Sequence, residues 1–310
     1  MRIQILVNRA GGTVRRNGGM AGQQAQLLEA FARHDRVQVD LVESSGDGLA
    51  AAAGHALAAA RSGRLDAIVV GGGDGSVGTV AGVLAGTGVP LGVLPLGTLN
   101  HFAKDLGIPT DLAGAVDVIA AGQARDVDIA EVNGKPFVNN SSIGLYPHMV
   151  IHRNRQARLF GIGKPLATLL ASLHTLQRFP RRRLWVQAAG LHEHFRSPCL
   201  FVGNNEYGVD LLTLGTRQSL DGGVLCVYVA RPRGPLGLAW MALRAAFGGI
   251  DAARDLDMLR LASVEVGSRA SRLLVSRDGE VEMMRPPLHY RSRAGELKVL
   301  APAPSPQAPA

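Results

Sequence analysis

The sequence predicts a two-domain α/β chain, with an N-terminal parallel α/β domain over residues 1–125 and an antiparallel, β-rich domain over 126–290. Three observations predict it. Strand-length apolar runs alternate with helix-length amphipathic or alanine-rich runs up to about residue 124. Two of those strand runs stop at glycine-rich loops, Gly71–Ser76 and Pro95–Asn100. Beyond Ala124, short strand-like runs separated by turn residues dominate.

In the first half, Ile3–Val7, Val37–Val42, Ala67–Val70 and Leu91–Leu94 read as strands. Ala21–His34, with Leu27, Leu28 and Phe31 on one side, reads as an amphipathic helix. Gly48–Ala60, Val77–Leu84, Asn100–Leu106 and Asp111–Ala121 read as the remaining helices. This βαβ rhythm is that of a parallel sheet covered on both faces, which binds ligands at the carboxyl ends of its strands. Both glycine loops fall there.

In the second half, strands are expected at Asp126–Val132, Pro136–Ser142, Leu184–Ala188, His194–Val202, Val224–Val229, Leu261–Val266 and Arg272–Ser276. Helical insertions are expected near Pro165–Gln177 and Leu236–Phe247. Residues 291–300, with Leu297–Leu300 the clearest part, read as a final strand that can return to the N-terminal domain. The Pro- and Ala-rich residues 301–310 read as a disordered tail.

The 310 residues are 46% apolar and 19% charged, enough to bury a sizeable core. Cys199 and Cys226 sit in apolar runs, and no Cys/His spacing matches a zinc site. The N-terminus enters a strand run directly, without a signal-peptide pattern, and no apolar stretch is long enough for a membrane span. The expectation is a cytoplasmic protein, peripheral at the inner membrane surface. Net charge is +8. Nine Lys or Arg and no acid lie between Glu131 and Glu193, among them Arg153, Arg155, Arg158, Lys164, Arg178 and Arg181–Arg183. Such a patch fits anionic phospholipid or a phosphate substrate. Scarce aromatic residues and the lack of a binding motif argue against nucleic acid. Oligomeric state is not readable.

Glycine loops after buried strands let backbone N–H groups approach phosphate. Asp74 lies inside the first loop, where a carboxylate can hold magnesium or orient a nucleotide. Thr98 and Asn100 can donate to a nucleotide or cap the following helix. Further elements follow in order. They are Asn8-Arg9-Ala10-Gly11-Gly12, Pro95-Leu96-Gly97-Thr98-Leu99-Asn100-His101-Phe102-Ala103, Ser219-Leu220-Asp221-Gly222-Gly223 and Arg277-Asp278-Gly279-Glu280.

This set resembles the diacylglycerol kinase catalytic family, which includes sphingosine, ceramide and bacterial lipid kinases. The resemblance runs from Ile3 to about Leu300. It implies a phosphofructokinase- or NAD kinase-like N-terminal domain, a C-terminal β-sandwich, and ATP bound in the cleft between them. The implied nucleotide set is Asn8, Arg9, Ala10, Gly11, Gly12, Ser44, Gly72, Gly73, Asp74, Gly75, Ser76, Gly97, Thr98 and Asn100. Asp278 is implied as general base, with Glu280 orienting it or sharing magnesium; an Asp-Gly hairpin turn is the plain alternative. Asp221, with main-chain oxygens near Gln218 and Gly223, is implied as a structural magnesium site, and Asp74 as a ligand of the catalytic magnesium.

The chain departs from the family pattern at several points. Arg9 stands where proline is usual, Ser76 where Thr is commoner, and Leu220 where a first acid is usual. Val77-Gly78-Thr79 stands where an Asn-Glu pair is frequent. Leu145-Tyr146-Pro147 lacks the acid that helps sphingosine kinases recognise an amine. The expected activity is ATP- and magnesium-dependent transfer of a γ-phosphoryl group to a hydroxyl of a diacylglycerol-like lipid. Two other readings are an NAD kinase, to whose Asn-Glu pair Asn204-Asn205-Glu206 is similar, and a non-catalytic nucleotide-binding regulator on the same scaffold.

Overall fold

The structure is a computed structural model that describes residues 1–9, 19–148, 150, 182–188, 190–208, 217, 219–231, 234, 237, 240 and 256–303. The expected helices at Pro165–Gln177 and Leu236–Phe247, most of the basic segment and residues 304–310 of the tail lie largely or wholly outside the described residues. The chain forms two compact units, Met1–Ile129 with Arg293–Ala310, and Ala130–Ser292.

In the first unit the strands are β1 (Arg2–Asn8), β2 (Gln38–Ser44), β3 (Ala67–Gly72) and β4 (Leu91–Pro95). They lie in the order β2-β1-β3-β4, all parallel. Every residue of β3 and β4 is buried, as expected of strands covered on both faces. The helices are α1 (Gly19–Phe31), α2 (Leu49–Arg61), α3 (Asp74–Leu84), α4 (His101–Asp105) and α5 (Leu112–Ala121). The α5 N-terminus is fixed by Asp111, whose Oδ1 accepts the Gly114 N–H at 2.8 Å; Gly122, at φ 66°, ends the helix. Strand β5 (Ala124–Val132) and strand β16 (Leu288–Leu300) each pass from one unit to the other. Val299 of β16 pairs with Leu91 of β4 in parallel.

The second unit is a sandwich of two antiparallel layers. One contains β16, β13 (Ser263–Ser268), β8 (Arg182–Ala188) and β9 (Leu191–Ser197), with β5 and β6 (Lys135–Phe137). The other has the order β12 (Leu256–Leu261), β11 (Leu225–Ala230), β10 (Cys199–Asn204), β7 (Asn140–Gly144), β14 (Leu273–Arg277), β15 (Glu280–Met284). Val186, Val266 and Tyr290 of the first layer meet Val202, Val227 and Val275 of the second in one buried core. Removing such side chains from water, at about 25 cal/mol per Å², drives the layers together. The expected fold class is observed in both units. No helix among the described residues is long and apolar enough to cross a membrane.

Several expected elements differ. The run Pro136–Ser142 is two strands, β6 and β7, parted at Val138–Asn139. His194–Val202 is likewise split at Pro198, which cannot donate to a ladder, and its halves enter different layers. The run Leu261–Val266 belongs to two strands, β12 and β13. Helix α3 begins at Asp74, three residues before the expected Val77.

Candidate functional site

Strands β1 and β2 end in register, Asn8 opposite Ser44; β3 and β4 end with Gly72 opposite Pro95. Side chains from several segments meet at these carboxyl ends. Asn8 donates Nδ2–H to Ser76 Oγ at 2.9 Å, tying β1 to the first turn of α3. The Arg9 N–H donates to the Ser44 carbonyl at 3.0 Å, and its guanidinium pairs with Glu43 at 2.6 Å. Ser44 is buried and donates its hydroxyl to the Ser45 carbonyl. Ala10, Gly11 and Gly12 lie outside the described residues.

The two glycine loops are stitched together. Asp74 lies on the first turn of α3, and its carboxylate accepts the backbone N–H of His101 at 3.2 Å and of Phe102 at 3.0 Å. A carboxylate there stabilises the α4 N-terminus. Asn100, at φ 52°, turns its side chain back into its own loop. Its Oδ1 accepts the Gly97 N–H, and its Nδ2–H donates to the Pro95 and Gly97 carbonyls. The expected capping of α4 by the Asn100 side chain is therefore corrected: Asp74 caps it, because the left-handed backbone aims the Asn100 amide at residues 95–97. Gly97 packs so closely that a Cβ there would lie 2.4 Å from Gly73 Cα. Thr98 is exposed at the loop tip. Gly73 precedes α3, so the first-turn N–H groups of Asp74, Gly75 and Ser76 lie at the positive end of the helix dipole.

The second unit places Asp278 in a two-residue hairpin turn joining β14 to β15, with Arg277 opposite Glu280. Asp278 and Gly279 have φ of 44° and 86°, the positive pair that such turns require. The turn does more than reverse the chain. The Asp278 carboxylate accepts three backbone N–H groups, from Val138 at 2.8 Å, Asn139 at 2.9 Å and Asn140 at 3.1 Å. Its own N–H donates to the Asn140 carbonyl at 2.9 Å. These bonds explain the break between β6 and β7, since the N–H groups there serve Asp278 rather than a ladder. Glu280 is exposed on the far side of the turn.

The same segment is held from its carbonyl side. Arg217, buried, donates Nη1–H to the Val138 carbonyl at 2.6 Å and to the Asn204 carbonyl at 3.1 Å, and Nη2–H to Asn139 Oδ1 at 3.0 Å. Asn204 adds an Nδ2–H bond to the Val138 carbonyl at 3.0 Å. Arg277 donates to the Pro136 carbonyl at 2.7 Å and pairs with Glu282, which also meets Lys135. Burial pushes the Glu282 carboxyl up, but Lys135 and Arg277 outweigh it and hold the group below its ordinary value. Sequence reasoning passed over Asn139 and Arg217, and placed Asn204 only in the NAD kinase reading. The available signal was polar pairs, Asn139-Asn140 and Asn204-Asn205, inside otherwise apolar strand runs.

At the other expected metal position, the Asp221 carboxylate accepts the Ser219 hydroxyl, and its N–H donates to Ser219 Oγ. Leu220 is buried beside it, while Gln218 lies outside the described residues. The donors are oxygens only, a set that suits magnesium rather than a soft metal. Glu206 pairs with Arg260 through two hydrogen bonds, at 2.8 and 2.5 Å.

The chain thus combines a parallel α/β unit carrying a stitched double glycine loop with a β-sandwich unit carrying a carboxylate turn. Residues 2–132 match the model of the diacylglycerol kinase catalytic domain. A diacylglycerol kinase of Mycobacterium tuberculosis is 36% identical over 159 residues, 49% of this chain and 51% of that one. The chain spans 21% to 51% of the length of the first curated relatives it matches. In fold, a diacylglycerol kinase of Bacillus anthracis aligns over 97% of both chains with TM-score 0.66 at 17% identity. Yeast NADH kinase, solved with NADH, aligns over 98% of this chain and 84% of its own with TM-score 0.54 at 12% identity. The resemblance read from the motifs is borne out.

Proposed function

We propose that the protein is an ATP- and magnesium-dependent lipid kinase that transfers the γ-phosphoryl group to a hydroxyl of a diacylglycerol-like lipid. The observation that carries this reading is the double glycine loop fastened by Asp74, within the segment that matches the diacylglycerol kinase catalytic domain. Phosphoryl transfer depends on positioning and charge neutralisation more than on covalent chemistry. The amides opening α3 cradle phosphate oxygens, and Asn8, Arg9, Ser44, Gly72, Gly73, Thr98 and Asn100 shape the nucleotide site around them. Asp74 fits as a magnesium ligand, since a carboxylate is the hard oxygen donor that magnesium takes. Magnesium would neutralise the phosphate charge that develops during transfer.

Asp278 serves as general base. The lipid hydroxyl gives its proton to the carboxylate as its oxygen bonds the γ-phosphorus and the bond to the ADP oxygen breaks. Three N–H bonds hold that carboxylate in one orientation. Glu280 sits two residues on, at the start of β15. Asp221 with neighbouring main-chain oxygens holds a structural magnesium. The basic residues between 153 and 183 favour an anionic phospholipid surface, at about 1 kcal/mol for each cation close to it.

The likeness of fold to yeast NADH kinase favours one second reading, phosphorylation of a dinucleotide. Incubation with γ-labelled ATP, magnesium and a bacterial lipid extract in mixed micelles, beside a parallel sample with NAD, separates the two. Label in lipid supports the lipid kinase. Label in NAD alone overturns it in favour of the second reading, and label in neither, with ATP still bound, favours the regulator.

A further inference from the structure

Asp278 and Arg217 approach one peptide group from its two sides. The Val138 carbonyl and the Asn139 N–H belong to the same peptide unit. Arg217 Nη1 donates to that oxygen at 2.6 Å, and that N–H donates to Asp278 Oδ1 at 2.9 Å. A cation, a peptide dipole and an anion therefore lie in series, so the guanidinium polarises the N–H toward the carboxylate. Nη2 fixes the Asn139 side chain at 3.0 Å, which keeps the same residue from rotating. The Arg217 guanidinium also lies 5.8 Å from the centre of the Tyr207 ring, an arrangement that fixes its plane. Burying a cation is costly, so an arginine at 6% exposure needs this full set of partners to remain in place.

We propose that Arg217 is a positioning residue, which orients the Asp278 carboxylate through the Val138–Asn139 peptide. It touches neither substrate nor nucleotide in this role. Its effect on rate passes through Asp278, and that part rests on the kinase reading above. Lysine can supply a donor to the Val138 oxygen but not the second arm that holds Asn139.

The test uses the full chain with γ-labelled ATP, magnesium and a defined diacylglycerol in mixed micelles. Arg217→Met should lower kcat about 10- to 100-fold while KM for ATP moves less than about twofold. Arg217→Lys should recover part of the loss. In an Asp278→Asn background, Arg217→Met should add no further loss, because both changes act on one carboxylate. Losses that multiply, or an unchanged kcat in Arg217→Met, overturn the proposal. Hydrogen exchange gives a readout independent of activity. The amides of residues 138–140 should exchange faster in Arg217→Met than in wild type, while those of β11 do not change. Unchanged exchange overturns the positioning role even in an active enzyme. Faster exchange in a chain that labels no lipid supports the positioning role and overturns only the kinase reading. Should Arg217→Met fail to fold, Arg217→Lys carries the same comparisons.

Discussion

Asp74 accepts the backbone N–H of Phe102 at 3.0 Å, so a residue of one glycine loop caps the helix that follows the other. Two segments 28 residues apart are fastened by one carboxylate. Substitution should therefore separate two effects. Asp74→Ala should cost about 1 kcal/mol of stability, the usual worth of a cap, and abolish turnover. Asp74→Asn keeps one of the two acceptor oxygens and sets an NH2 against the other N–H, so its melting temperature should fall part of the way toward that of Asp74→Ala while turnover falls equally far. Thermal melts beside ATP turnover check this. A fully active Asp74→Asn would remove Asp74 from magnesium binding.

Gly97 has no room for a side chain, since its Cβ would lie 2.4 Å from Gly73 Cα and 2.6 Å from Asn100 Oδ1. One of those contacts is backbone, so the loops must separate to admit a methyl group. Gly97→Ala should cost about 1–3 kcal/mol, the range for overpacking, and weaken ATP binding. Denaturant titration and calorimetry of nucleotide binding measure both. By contrast Gly54, with open space around its Cβ direction and a place inside α2, should gain about 0.5–1 kcal/mol as alanine.

Much of the nucleotide-side architecture was legible because its signals are local. The run Ala67–Val70 is apolar throughout and ends in glycines, which is how a buried parallel strand meeting a phosphate loop reads. The start of α3 was hidden because Asp74, Gly75 and Ser76 have loop-forming composition; the strand end and the α4 contact decide their conformation. Strand β16 was read from residue 291 rather than Leu288, and clearly only over Leu297–Leu300, since Arg291, Arg293 and Glu296 interrupt the apolar pattern with paired charges. The surroundings of Asp278 were not legible. Its three donors lie about 140 residues away in sequence, and nothing near Asp-Gly signals them. A lone Arg217 in a polar stretch likewise carries no pattern until folding brings it to Val138.

The Cys226 thiol is pushed up from 9.0 to about 11, chiefly by burial and further by Glu206. In the unfolded chain it ionises near its ordinary value, so the unfolded state releases this proton first as pH rises. The stability that this group contributes is complete below about pH 9 and declines from there toward pH 11. Melting temperature should fall across that window, and Cys226→Ser should flatten the fall. At pH 8 the native thiol should also react with a disulfide reagent about 100-fold more slowly than a free thiol, as two pKa units imply. Rapid labelling of folded protein would contradict the burial.

The most direct measurement is kcat for labelled phosphoryl transfer from ATP to a defined diacylglycerol, compared for wild type and Asp278→Asn. The amide keeps only one of the two oxygens that accept the N–H groups of residues 138–140, and it cannot take the proton of the lipid hydroxyl. The account predicts a labelled phosphatidic acid product in wild type and a loss of about 10²- to 10⁴-fold in the variant, with ATP affinity retained. A variant that phosphorylates diacylglycerol at the wild-type rate would contradict it.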